Sequence, residues 1–496
     1  MSDRTREGRG DLIDGAWALP PGDDTLAPPS PAARAHTPFI TRTSVAHAEA
    51  AVAAAVRAKD AWRRAPEGER AAALLAYRDR LRARRDELER AISAAIGKPR
   101  WESKTEVDAM IAKVELSLGP GLELLKLGYP AEPNTRLRRR PLGVALVLGP
   151  FNFPGHLANG HLVPALATGN AVVFKPSERA PEVGELMALC LLEAGFPAGV
   201  VNVVQGGADV AAALVAQPGV DAVMFTGSTA VGRRILAASA AHPGRMVALE
   251  LGGRNPALVL DDADLTHAAR EIAFAAYVTA GQRCTANSRV LVHRSRADEL
   301  IERLARAATL TRVGPPSDPG CFLGPVIDDA AVRRALSMIE RSRDRFDARV
   351  PAASPELDGS YLRPSLYVHR ERAGRAGDVP LGLDELFAPV LTVEVFDDDG
   401  EATSRANEGE YGLAAAVFTA SQARFERVAE ELDVGLCNWN RSTVGSSSRL
   451  PFGGRKSSGN HRPAGLASSL YCVDAVAELH VPAPPADAQP APGFVV

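Results

Sequence analysis

Residues 144–178 read VALVLGPFNFPGHLANGHLVPALATGNAVVFKPSE. The short apolar run Val144 to Leu148 predicts a strand, Ala158 to Thr168 a helix, and the β-branched run Ala171 to Phe174 a second strand. A strand–helix–strand unit of this kind favours parallel strands covered on both faces. The rhythm continues with expected strands at Val200 to Val204 and Ala222 to Phe225 and helices at Ala180 to Gly195, Ala208 to Gln217 and Thr229 to Ala241. A second series has strands near Pro256 to Leu260, Val290 to His293, Val390 to Val395 and Ala414 to Phe418, with helices near Asp264 to Gly281 and Arg296 to Ala308. The expectation is an α/β protein with two such layers, whose ligands sit at the carboxyl edges of the strands. Upstream, Ala46 to Trp62 and Arg70 to Ile96 carry apolar residues at helical spacing and predict amphipathic helices. Pro20 to Pro38 and Pro482 to Val496, rich in Pro and Ala, read as unpacked.

With 496 residues the chain is long enough for two to four domains. Its 46% hydrophobic and 24% charged residues match a globular protein and exclude a fibrous or wholly disordered one. A net charge of −3 provides no field for gripping nucleic acid or an anionic membrane. No run of 18 apolar residues and no signal-like start occur, so a cytoplasmic protein is expected. Five cysteines lie scattered without a Cys-x-x-Cys pair, so no metal is expected and any special cysteine acts alone. The basic run Leu137 to Pro141 fits an exposed hairpin better than a nucleic-acid site.

Five stretches carry groups suited to chemistry. Cys284, in the polar turn Gly281-Gln-Arg-Cys-Thr285, is either a small core residue or a nucleophile whose thiolate a neighbouring cation or helix end would favour. Glu250 follows an apolar run and precedes two glycines, as a cap or as a general base at a strand end. Asn152, between Pro150 and Pro154, is a turn residue or an oxyanion donor. Phe225-Thr-Gly227-Ser228-Thr-Ala-Val-Gly232 reads as strand, glycine turn and helix, where Ser228 or Thr229 could cap the helix and free N–H groups could meet a pyrophosphate. Lys175-Pro-Ser177-Glu178 follows a strand and offers ribose partners or plain surface charge.

Taken in order, Pro-Phe-Asn-Phe-Pro at 150, Lys-Pro-Ser-Glu at 175, Phe-Thr-Gly-Ser at 225, Glu-Leu-Gly-Gly at 250, Gly-Gln-Arg-Cys at 281, Glu-Leu-Phe at 385 and Pro-Phe-Gly-Gly at 451 resemble the aldehyde dehydrogenase superfamily, over roughly Asp11 to His480. The resemblance implies that Cys284 attacks an aldehyde, that Asn152 and the Cys284 N–H hold the oxyanion, and that Glu250 activates the water that releases an acid. It implies NAD as cofactor, with Lys175 and Glu178 at the adenosine ribose, Ser228 and the turn Gly227 to Gly232 at the pyrophosphate, Glu385 with Phe387 at the nicotinamide ribose, and Ser177 and Leu251 as further cofactor-binding residues. It implies a Rossmann-type NAD-binding domain (1–123 and 142–250), an α/β catalytic domain (251–450), a small β oligomerisation element (124–141 and 464–481), a disordered tail (482–496), and a homodimer or homotetramer.

Within that family Gly97 to Glu102 with Thr105-Glu-Val107, Phe153 to Leu157 with Asn159-Gly-His161, Asn438-Trp-Asn440, and Ser458 to Pro463 resemble a branch that oxidises N-succinylglutamate 5-semialdehyde in arginine catabolism. Such a dicarboxylate points to Lys113, Arg449, His461 and Arg462 as candidate carboxylate partners. The sequence departs from the branch at Ala158, Arg254, Ala286 to Ser288 and Ala388, positions expected to flank pockets. The alternatives are a dehydrogenase for another semialdehyde or an aliphatic aldehyde, and a cofactor-independent thiol esterase.

Overall fold

The computed structural model describes residues 5–126, 133–370, 380–460, 464–481 and 492–493. Every strand predicted above is present. The first seven-stranded sheet runs in the order Met246–Glu250, Ala222–Thr226, Val144–Leu148, Ala171–Lys175, Val201–Val203, Asp11–Ile13, Ala16–Ala18. The pairs from 246–250 to 201–203 are parallel, and the two N-terminal strands close the edge antiparallel. Val144–Leu148 is buried along its whole length, and its alternate residues enter different cores. Ala145 and Val147 pack with helices Glu67–Ala83 and Arg100–Leu116, while Val144, Leu146 and Leu148 pack with Ala46–Arg64 and Ala208–Ala216. The side-chain period of two requires helices on both faces for such a strand.

The second sheet is built likewise from Phe346–Val350, Ser365–His369, Val390–Phe396, Asn287–His293, Asn255–Val259, Ala414–Phe418 and Leu436–Trp439, with only the first pair antiparallel. Ala257 and Val259 face one core and Leu258 another.

Three expectations change. Arg70 to Ile96 is two helices, Glu67–Ala83 and Arg85–Ile96, because Arg84 leaves helical geometry at φ −102°, ψ 18°. Pro20 to Pro38 is packed: Thr25–Leu26 pairs with Phe39–Arg42, Ser30 Oγ donates to the Ala94 carbonyl, and the Pro31 carbonyl accepts from Ser360 N. Among the described residues the basic run forms no local hairpin. Thr135–Pro141 pairs antiparallel with Val473–Leu479, from Thr135 opposite Leu479 to Pro141 opposite Val473. The tail expected from 482 lies outside the described residues apart from 492–493. Among the described residues no helix is long and apolar enough to cross a membrane, and no group of three His, Cys, Asp or Glu is placed to hold a metal ion.

Candidate active site

In the first sheet the chain leaves Val144–Leu148 to one side and returns on the other, so a crevice opens where the carboxyl ends of 144–148 and 222–226 diverge. A cavity of about 800 Å³ fills it, walled by Leu148 to Asn152, Lys175, Ser177 to Arg179, Phe225 to Ser228 and Glu250 to Gly252. Helix Thr229–Ser239 points its N-terminus there, capped by Ser228, whose Oγ accepts from Val231 N. A smaller cavity of about 250 Å³ enters from the other side. Asn152, Leu157, Thr226, Glu250 and Cys284 stand in the walls of both.

Cys284 reaches this junction through a strained turn. Helix Leu265–Tyr277 stops four residues short of the expected Gly281, and Thr279, Ala280 and Gly281 follow with φ of 58°, 53° and 69°. For the two non-glycine residues that conformation costs about 1–3 kcal/mol each and persists only when surroundings impose it. Thr279 Oγ1 donates to buried Glu102, Arg283 Nη2 donates to the same carboxylate at 3.0 Å, and Gln282 Oε1 accepts from Ile327 N at 2.8 Å. Asn152 Nδ2 donates to the Gln282 carbonyl at 2.8 Å, which fixes the amide against the turn that carries Cys284. Asn255 Nδ2 donates to the carbonyls of Cys284 and Ala286, at 2.7 and 2.9 Å. Gly253 makes that approach possible, since a Cβ there would lie 2.4 Å from the Cys284 carbonyl oxygen. Asn255 carries no distinguishing signal in the sequence, because it sits at an ordinary strand start.

Glu250 ends strand Met246–Glu250, and both its carboxylate oxygens are buried without a partner. Desolvation therefore holds its pKa well above the usual carboxylate range. The Cys284 thiol is pushed up to about 12, first by desolvation and then by the charges of Glu250 and Glu385. Each strand end is braced from afar. Asn460 Oδ1 accepts from Leu249 N and its Nδ2 donates to the Val247 carbonyl, each at 2.8 Å, and the Ser458 carbonyl accepts from Leu251 N.

The family profile described as "Aldehyde dehydrogenase family" matches residues 20–475. The chain belongs to this family. It is 40% identical over 453 residues to the N-succinylglutamate 5-semialdehyde dehydrogenase of Novosphingobium aromaticivorans, covering 90% of this chain and 94% of that one. Among solved structures it resembles the gamma-glutamyl-gamma-aminobutyraldehyde dehydrogenase of Burkholderia cenocepacia, with TM-score 0.89, 36% identity and coverage of 96% and 97%. The 1-pyrroline-5-carboxylate dehydrogenase from Thermus, solved with bound NAD, superposes at TM-score 0.89 with 30% identity and coverage of 96% and 93%.

Within this aldehyde dehydrogenase chain the expected cofactor residues Lys175, Ser177, Glu178, Gly227, Ser228, Leu251, Glu385 and Phe387 all wall the larger cavity. Gly232 does not. It lies inside the capped helix against Leu251, where a Cβ would come within 2.8 Å of Leu251 Cδ2. Lys175 is buried and donates to the carbonyls of Pro176 and Gly206, both at 2.7 Å, beside Glu178 at 3.7 Å. Glu385 Oε1 accepts from Gly253 N at 3.0 Å, and burial raises its pKa to about 7.

Of the substrate candidates, Lys113 stands in the wall of the smaller cavity, and His461 and Arg462 lie outside the described residues. Arg449 is exposed and lines neither cavity: its loop folds on the Ser447 Oγ, which accepts from Arg449 N, while 445–448 line the smaller cavity. The departures Ala158, Arg254, Ala286 to Ser288 and Ala388 themselves line neither cavity, although Ala158, Ala286 and Ala388 each follow a residue that does, Leu157, Thr285 and Phe387. Arg254 is a buried tie whose guanidinium donates to the carbonyls of Ser288, Leu381 and Gly382 and to Thr392 Oγ1. Asn438-Trp-Asn440 braces too: the Trp439 indole and the Asn440 amide both donate to the Thr419 carbonyl at 2.9 Å. Sequence reasoning passed over His156 and Arg283, which line the smaller cavity.

Proposed function

We propose that this chain oxidises N-succinylglutamate 5-semialdehyde to N-succinylglutamate, with NAD as cofactor. The observation that carries the reaction is that Cys284, Glu250 and Asn152 occupy the one place where the two cavities meet. The larger cavity suits a dinucleotide: Ala211, Val215, Val231 and Ile235 make an apolar slot for a base, the capped helix turns free N–H groups towards a pyrophosphate, and Glu178 and Glu385 offer acceptors to sugar hydroxyls at either end. When bound there, NAD accepts the hydride.

The protein's own residues do the rest. The Cys284 thiol gives up its proton to solvent at the junction, its sulfur adds to the aldehyde carbon, and Asn152 Nδ2 with the Cys284 N–H holds the resulting oxyanion. After oxidation the acyl group is a thioester on Cys284, and Glu250 deprotonates the water that hydrolyses it. The division into a cofactor domain (1–123 and 142–250), a catalytic domain (251–450) and an oligomerisation element (124–141 and 464–481), the assembly into a homodimer or homotetramer, and a cytoplasmic location belong to the same reading; the paired strands at 135–141 and 473–479 support grouping those two segments in one element.

Turnover with NAD across N-succinylglutamate, glutamate and succinate semialdehydes and aliphatic aldehydes tests the substrate. The first is expected to have the highest kcat/KM, by about tenfold or more, the worth of one additional charged hydrogen bond. Equal values for all would remove the dicarboxylate from the proposal. Glu178, half-exposed at the cavity rim, sets the cofactor preference by repelling a 2′-phosphate. Glu178→Gln is expected to raise the NADP-to-NAD ratio of kcat/KM about tenfold; an unchanged ratio would show that discrimination lies elsewhere.

A further inference from the structure

The smaller cavity has a wall of buried charge that the reaction itself does not use. Helix Arg100–Leu116 sends Glu102, Glu106 and Lys113 inward, all buried. Lys98 Nζ meets Glu106 Oε2 at 2.7 Å and lies 3.4 Å from the Phe153 ring centroid. Arg283 covers the same ring at 4.9 Å and pairs with Glu102. Each of these cations has a carboxylate. Lys113 has none among the described residues: its Nζ donates only to the Gly465 carbonyl at 2.8 Å and Ser468 Oγ at 3.3 Å. A buried ammonium without a counter-ion is expensive to maintain, and this one borders a cavity.

His156 lines that cavity too. Its backbone N–H donates to Glu106 Oε1 at 3.2 Å and its ring stands edge-on to Phe153 at 6.5 Å, so its position is set from behind. Its Nδ1 is buried and has no partner. Burial, then the charges of Lys113, Lys98 and Arg283, lower its pKa to about 4, so the ring is a neutral donor in a positive field.

We propose that His156 and Lys113 together form a subsite for a carboxylate carried by the aldehyde, which selects anionic semialdehydes over neutral aldehydes. The proposal rests on the smaller cavity being the aldehyde entrance. A ligand carboxylate there supplies the counter-ion Lys113 lacks and the acceptor His156 lacks, and both hydrogen bonds are made away from water, where charge-assisted bonds are strongest.

The test compares kcat/KM for succinate semialdehyde and hexanal in the wild type, His156→Leu, His156→Gln and Lys113→Gln, each checked for an unaltered melting profile. The wild-type ratio is expected to fall at least about tenfold in His156→Leu and in Lys113→Gln, and to be largely restored in His156→Gln, which keeps a donor. Glutarate, a dicarboxylate without an aldehyde, is expected to inhibit the wild type competitively and the two impaired variants more weakly by a similar factor. A parallel loss on both aldehydes, with an unchanged ratio and unchanged glutarate inhibition, would overturn the subsite while leaving the oxidation intact. Absence of NAD-dependent turnover on every aldehyde in the wild type would instead overturn the functional reading beneath it. Should Lys113→Gln not fold, the two His156 variants decide the outcome.

Discussion

Cys284→Ser is expected to lose NAD-dependent turnover by about 10⁴-fold or more, the scale on which removal of a covalent nucleophile is felt. A serine hydroxyl is a far poorer nucleophile than a thiolate, and in the environment that pushes the thiol to about 12 the charge of Arg283 is outweighed by desolvation and by Glu250 and Glu385, which would disfavour an alkoxide as well. The fold should tolerate the exchange, because Asn255 holds residue 284 through its backbone carbonyl, which the exchange leaves in place. Absorbance of the reduced nicotinamide, with the melting temperature as a control, measures the loss. Retention of even a tenth of the activity would end the covalent mechanism. Ester hydrolysis independent of NAD in the wild type, exceeding aldehyde oxidation, would favour the thiol esterase instead.

Glu250→Gln separates the two halves of the reaction. Without a base to activate water the thioester on Cys284 should persist, so mixing enzyme with NAD and aldehyde is expected to release reduced nicotinamide in a burst equal to the enzyme concentration. Steady turnover then follows about 10²–10⁴-fold more slowly. The pH dependence follows from the same carboxyl. Its pKa is held above the usual range by burial of two unpartnered oxygens, so it is protonated at low pH and inactive as a base. Wild-type kcat is therefore expected to rise with pH through that raised value, and the glutamine variant to lack this rise in its slow phase. A variant that turns over without a burst at a rate near that of the wild type would assign the water-activating step to another group.

Much of this site was legible because each motif sits directly at the end of a strand. Leu148 leads into Asn152, Lys175 closes its strand, Phe225-Thr226 turns at Gly227, and Glu250 ends its own. Apolar runs of about five residues mark such strands, and side chains just past their carboxyl ends must face the crevice. Less legible were the stretches 438–440 and 458–460, whose residues resemble a substrate-specific branch. In the structure they support the strands behind the site, as Asn460 does for Leu249. Polar residues of one type serve a ligand or a neighbouring backbone equally well, and only the partner distinguishes them.

What the sequence by itself determined was the alternation of strands and helices, the presence of a thiol, a carboxylate and an amide just past strand ends and in turns, and the glycines that leave room beside them. These follow from local periodicity and from residue chemistry that no fold can alter. The tertiary structure alone decided that Cys284 and Glu250 meet where two cavities join, that Arg449 faces solvent, and that Lys113 is a buried ammonium beside an unpartnered His156. The physical reason is that charge and acidity depend on what surrounds a group within a few ångströms, and those neighbours come from helices and strands far apart along the chain.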